Sequence, residues 1–79
     1  MNLNVLFFGA AADSANRRNA ELKLEPGASA EMAFSKIVEA FPRLRDHKLL
    51  FAVNQEYTGG DTILKDGDEF AVFTAVSGG

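Results

Sequence analysis

The sequence predicts an α+β domain in which a mixed β-sheet packs against one main helix. Three observations carry this. A β-rich run alternates at the start of the chain, one stretch between Ala30 and Phe41 repeats apolar residues at helical spacing, and a second apolar, β-branched run lies just before the end. The chain has 79 residues, which bounds it to one domain near the lower size limit for a single hydrophobic core. It has no cysteine and one histidine, so neither disulfides nor a Cys/His metal cluster is available as a staple. Stability must come from packing, and a hydrophobic content of 47% with seven phenylalanines supplies it.

The first strand runs from Leu3 to Gly9, with Leu3, Val5 and Phe7 on one face and Asn2, Asn4, Leu6 and Phe8 on the other. Ala10 to Asn19 is small and polar and reads as a loop with room for a turn of helix. Ala20 to Glu25 alternates, Leu22 and Leu24 inward and Lys23 outward, until Pro26-Gly27 breaks it; this second strand makes an antiparallel hairpin with the first. Ser29 is placed to cap a helix with Glu31 in its first turn. Ala30, Ala33, Phe34, Ile37, Val38 and Phe41 then form one buried stripe, and Pro42 stops the helix. Leu49 to Val53 reads as a third strand, Asn54 to Gly60 and Lys65 to Glu69 as turns, and Phe70 to Val76 as the final strand. If the helix supplies a crossover that lays the final strand beside the first, the sheet is mixed. No repeat, low-complexity segment or linker interrupts residues 1–79.

Several function classes fall away on composition. A net charge of -3 argues against nucleic acid as the main partner, because phosphate binding needs a basic stripe and the eight Lys and Arg are scattered. Arg17-Arg18, the one adjacent pair, reads as a solvated turn. VLFFGAAADSA has the look of a short signal segment, but Met1 to Asn4 lacks the charged residues that precede one, and no apolar run approaches the ~18 residues of a bilayer span. The expectation is a cytoplasmic protein with no membrane partner. His47, solitary beside Asp46 in a charged loop, reads as a surface residue and not a general base. Asp66 and Asp68 read as turn formers, since the ligand spacing of a calcium loop is absent.

Two features point to function. With Leu3, Val5, Phe7, Phe51, Val53, Phe70, Val72 and Val76 as core, Leu6, Phe8, Leu50, Ala71 and Phe73 face the other way, rimmed by Lys48 and Glu69. An uncovered apolar patch with a charged rim has the character of a partner-binding surface. A register shift of one residue, or a bulge, is the alternative and would turn half of these inward. The second feature is the end of the sequence, Val76-Ser77-Gly78-Gly79. Glycines without Cβ lie extended in a narrow channel and let a partner approach the terminal carboxylate. Activated as an acyl adenylate, Gly79 becomes open to attack by a cysteine, a persulfide or a lysine. The plain alternative is a chain end of no consequence.

Read together, VLFF at Val5 to Phe8, KLL and AVNQ between Lys48 and Gln55, DGDE at Asp66 to Glu69 and VSGG at Val76 to Gly79 resemble the small subunits of molybdopterin synthase. These are sulfur carriers of the ubiquitin-like β-grasp fold. The resemblance implies that Gly79 is adenylated by a partner resembling ubiquitin-activating enzymes, which uses ATP and magnesium. A sulfur donor, a cysteine desulfurase or rhodanese-like protein, then converts it to a thiocarboxylate. The tail, with Gly78, Ser77 and Val76 lying in the partner's channel, would deliver sulfur to cyclic pyranopterin monophosphate in the synthase large subunit, within a heterotetramer. On this reading the chain binds no cofactor or metal itself and is a non-catalytic subunit. The family's partner surface falls on Phe8, Tyr57 and Phe73, to which parity adds Leu6 and Leu50. One departure stands out: Thr74 and Ala75 occupy positions where the family often has two prolines, which implies a more mobile end or continued sheet pairing. It also leaves open the roles of related proteins, as protein modifiers conjugated to lysine or as sulfur carriers for thiamine or transfer-RNA thiolation.

Overall fold

Alternation in the first strand sets the architecture of the computed structural model, which describes residues 1–75. β1 (Asn2–Phe7) buries Leu3, Val5 and Phe7 and turns Asn2 and Asn4 to solvent. Gly9, at φ 57°, turns the chain into α1 (Ala10–Ala15), and β2 (Asn19–Lys23) then pairs antiparallel with β1. α2 (Ala30–Ala40) follows, then a 3-10 helix (Pro42–Asp46), β3 (Leu49–Val53) and β4 (Glu69–Thr74). The sheet order is β2-β1-β4-β3, with β1 parallel to β4 and the other pairings antiparallel. The sheet is therefore mixed, with first and last strands side by side at its centre.

α2 starts where Ser29 accepts a hydrogen bond from the Met32 N–H through its hydroxyl. Its buried face is Ala30, Ala33 and Ile37, flanked by the half-buried Phe34 and Val38. Two of those are alanines, and such small residues leave room beneath the helix for aromatics. Phe70 stacks on Phe51 at 5.2 Å, and Phe51 meets Phe34 from the helix at 5.5 Å. Phe41 packs edge-on against Phe7 at 5.2 Å.

The segments that differ from expectation are short ones. Ala10–Ala15 is a helix and not mainly loop: Ala11 and Ala15, four apart, are both buried, and Asn16 closes it in the left-handed conformation. Pro42 does more than stop α2, since it opens the 3-10 helix that buries Leu44. β1 ends at Phe7, β2 begins at Asn19 and stops at Lys23, and β4 begins at Glu69 and ends at Thr74. These bounds are one to two residues away from those expected. Val76, expected in the core, lies outside the described residues, as do Ser77, Gly78 and Gly79.

The AVNQ and DGDE blocks have a structural role. Asn54 and Gln55 take φ 49° and 68°, so that Val53 and Glu56 exchange both backbone hydrogen bonds across a tight two-residue turn. Asn54 then reaches across: its Oδ1 accepts the Glu69 N–H at 3.0 Å and its Nδ2 donates to Asp68 Oδ1 at 3.0 Å. Asp68 Oδ2 accepts the Lys65 N–H at 2.8 Å, and Asp66 accepts the Asn2 N–H at 2.7 Å. Bonded first by the Asn54 amide and then by the Lys65 N–H, the Asp68 carboxyl titrates below its ordinary value. A depressed folded value means stabilisation that is present above the unfolded carboxylate range and lost as pH falls through the folded value. Asp68→Ala is expected to lower stability by about 1 kcal/mol at neutral pH, a melting shift of about 4–8 °C, and to flatten the acid limb of the stability profile. Thermal melts from neutral to acidic pH check both.

Candidate functional site

The apolar side chains on the face of the sheet away from α2 gather at one end. Leu50 stands opposite Phe73, and in the adjacent row Leu6, Ala71 and Ala52 lie side by side across β1, β4 and β3. Phe8 follows β1 and donates its N–H to the Val72 carbonyl at 3.0 Å, which sets it beside β4. Phe8 is 52% exposed, Leu50 42% and Tyr57 76%, while Leu6 and Phe73 are half-buried. Ala71 and Ala52 share the face yet are buried, because a methyl group is overtopped by taller neighbours. The far half of the same face carries Asn2, Asn4, Glu21, Lys23 and Glu69, all polar. The patch is thus a localised apolar island.

Tyr57 reaches this island from the segment after the Asn54-Gln55 turn and meets Phe73 edge-on, with centroids 5.9 Å apart at 70°. Sequence parity cannot assign a residue outside a strand, so the fold brings Tyr57 to the strand residues. An aromatic pair with one ring mostly exposed offers a large, stiff contact surface with few rotatable bonds. An open groove beside the island is lined by Leu6, Phe7 and Phe8 together with Asp13 and Arg18.

The root of the tail leaves from the same end. β4 stops at Thr74, and the Ala75 N–H donates to the Lys48 carbonyl at 2.9 Å, so backbone pairing continues through Ala75, one of the two alternatives expected from Thr74 and Ala75 standing where the resembled family often has prolines. Proline has no N–H and could not make this bond. Ala75 therefore belongs to the ladder, and the sequence beyond it is Val76 to Gly79.

Cations that are scattered in sequence are gathered by the fold around this end. Arg17 and Arg18 follow α1, Arg43 and Arg45 lie in the 3-10 helix packed against α1, and Lys48 opens onto β3; all are exposed. The Arg17 guanidinium sits 5.8 Å from the centre of the Phe41 ring. Asp13, Asp46 and Glu39 are interspersed, so this is a mixed rim and not a phosphate-binding stripe. His47 has a partner that the sequence reading did not supply. It is half-buried, and its Nε2 lies 2.6 Å from the Ser14 hydroxyl on α1. A partner 33 residues away leaves no local signal.

Among the described residues, no group of three or more His, Asp or Glu is placed to hold a metal ion. No helix of the described residues is long and apolar enough to cross a membrane.

A mixed four-stranded sheet with its first and last strands paired at the centre, crossed by one helix, defines a ubiquitin-like β-grasp domain. The chain belongs to the ThiS family, which it matches over residues 5–79. It is 34% identical over an alignment 82 positions long to the molybdopterin synthase sulfur carrier subunit of Mycobacterium tuberculosis, covering 100% of this chain and 99% of the relative. It is 35% identical over 83 to the protein of the same name from Chlamydomonas reinhardtii, covering 100% of both. Among solved structures, SAMP1 from Haloferax volcanii superposes with a TM-score of 0.89 at 25% identity over 100% of both chains. A complex of subunits 1 and 2 of molybdopterin-converting factor from Helicobacter pylori contains a chain that superposes with a TM-score of 0.72 at 24% identity, again over 100% of both.

Proposed function

We propose that this chain is the sulfur-carrier subunit of a molybdopterin synthase. The observation that carries the reading is the end-to-end match to relatives of that name, which includes the part of the sequence that bears Gly78-Gly79. In this role the Gly79 carboxylate attacks the α-phosphorus of ATP on an adenylating partner that also holds magnesium, and pyrophosphate leaves. The terminal sulfur of a persulfide on a cysteine desulfurase or rhodanese-like donor then displaces AMP at the carbonyl to give an acyl disulfide. A second thiol cleaves this to release the thiocarboxylate, the two thiol sulfurs ending as a disulfide. The island of Phe8, Leu50, Tyr57 and Phe73 docks the large subunit, and the H. pylori complex of subunits 1 and 2 supplies the precedent for such a pairing. Four residues follow Ala75, Val76 to Gly79. At about 3.3 Å per extended residue they reach ~13 Å, enough to carry the carbonyl into a neighbouring active site. Sulfur passes to cyclic pyranopterin monophosphate, and water takes its place at the carbonyl, so that Gly79 returns as a carboxylate. Catalytic side chains and the second half of a heterotetramer belong to the large subunit, and the reaction is cytoplasmic.

A second reading, conjugation of Gly79 to lysines as a protein modifier, is favoured by the likeness to SAMP1. Intact-mass spectrometry after incubation with the adenylating enzyme, ATP and a sulfur donor separates the two. The carrier gains the oxygen-to-sulfur mass difference at Gly79. Lysine-linked adducts that resist denaturant and reductant, with no thiocarboxylate, favour the modifier, and neither product in the presence of an active enzyme overturns both.

A further inference from the structure

We propose that His47 is a positioning residue that fixes the root of the C-terminal arm, acting through the Lys48 backbone under a lock supplied by Ser14. The inference rests on the reading of Gly79 as the reactive end, but its structural half stands without it. His47 is the chain's one histidine, and the proposed chemistry gives it no task. It follows the 3-10 helix in extended conformation at φ -120° and ψ 152°, with its N–H donated to the Leu44 carbonyl at 3.1 Å. Its ring is bonded to the Ser14 hydroxyl at 2.6 Å, which ties it to α1. α1 itself packs against the 3-10 helix and β4.

The next residue, Lys48, presents the carbonyl that takes the Ala75 N–H. Three contacts therefore run in series from α1 to the last ladder bond among the described residues: Ser14 to His47, His47 to Lys48 along the chain, and Lys48 to Ala75. A backbone bond at the end of a strand opens more readily than one inside the sheet. Its closed fraction depends on how firmly the acceptor carbonyl is held, and here a side-chain bond to a separate element holds it. The Ser14 hydroxyl donates to a neutral ring nitrogen and accepts from a protonated one, so the lock needs no particular charge on His47. A firmly held root starts the arm in one direction and lowers the ordering cost when the arm enters a partner.

Amide hydrogen exchange by NMR on the full chain is the first test. His47→Ala and Ser14→Ala are each expected to speed exchange at Ala75 roughly five-fold or more, as for loss of one exposed hydrogen bond. Exchange at Phe7, bonded to Arg18, and at Asn54, bonded to Glu69, should be unchanged. The double variant should be no faster than either single one, since both remove the same bond. His47→Gln, whose amide can still meet Ser14, should recover most of the protection. Steady-state kinetics with the adenylating enzyme provide the second readout: KM for the carrier rises several-fold with kcat unchanged, and His47→Gln restores it. Equal Ala75 exchange in wild type, His47→Ala and Ser14→Ala overturns the proposal, as does a fall in kcat at constant KM. If the wild-type chain is not adenylated at all, the sulfur-carrier reading fails, and the exchange data still decide whether His47 holds the root.

Discussion

Deleting Gly79 is expected to reduce molybdopterin formation to background while leaving the fold and large-subunit binding close to wild type. The deletion does more than shorten the arm by ~3.3 Å. It places a carboxylate on Gly78 that stops one residue short of the α-phosphorus of ATP, and a misplacement of even 1 Å from reacting geometry costs on the order of 100-fold in rate. Stability should change little, because a glycine has no side chain to pack into a core. Binding should persist because Phe8, Leu50, Tyr57 and Phe73 are untouched. Circular dichroism, titration against the large subunit and product assay test the three parts separately. Wild-type product yield from the shortened chain would remove Gly79 from the mechanism.

The same separation explains what the sequence made legible. β1 and α2 were readable because burial is written in them at periods of 2 and 3.6: Leu3, Val5 and Phe7 in one, Ala30, Ala33 and Ile37 in the other. Parity along β3 and β4 was readable for the same reason, which put Leu50 and Phe73 on the outer face. α1 was not readable, since a six-residue helix with two buried alanines has no amphipathic repeat to show. Tyr57 lies in an irregular segment, and its contact with Phe73 depends on the path of the chain after the left-handed pair Asn54-Gln55. The Ser14 to His47 bond joins residues 33 apart, and the Ala75 to Lys48 bond is made by backbone atoms that every residue but proline carries in full. Scattered arginines came together only because the C-terminal ends of β1 and β4 and the start of β3 share one end of a mixed sheet.

Phe73→Glu is expected to weaken large-subunit binding by about 2–4 kcal/mol, roughly 30- to 1000-fold, and to leave the isolated domain folded. Two losses add at the interface. The edge-on contact with Tyr57 at 5.9 Å disappears, so that ring is no longer held in place, and docking through this face would have to desolvate a carboxylate. In the free protein the same glutamate stays solvated, because position 73 is half-exposed on the face away from α2, and the stability change should be within about 1 kcal/mol. Phe70, three residues earlier on the same strand, provides the contrast. It is 0% exposed and stacked on Phe51 at 5.2 Å, so Phe70→Ala opens the core at a cost of about 3–5 kcal/mol. A domain of this size has on the order of 5 kcal/mol in total, so much of that variant is unfolded at 37 °C. Urea titration of both free variants and isothermal titration against the large subunit read the two faces of β4 independently. If Phe73→Glu unfolds the domain, the face assigned to the partner is core. If it folds and binds as wild type does, the large subunit docks elsewhere, and the exposed Phe8, Leu50 and Tyr57 need another explanation.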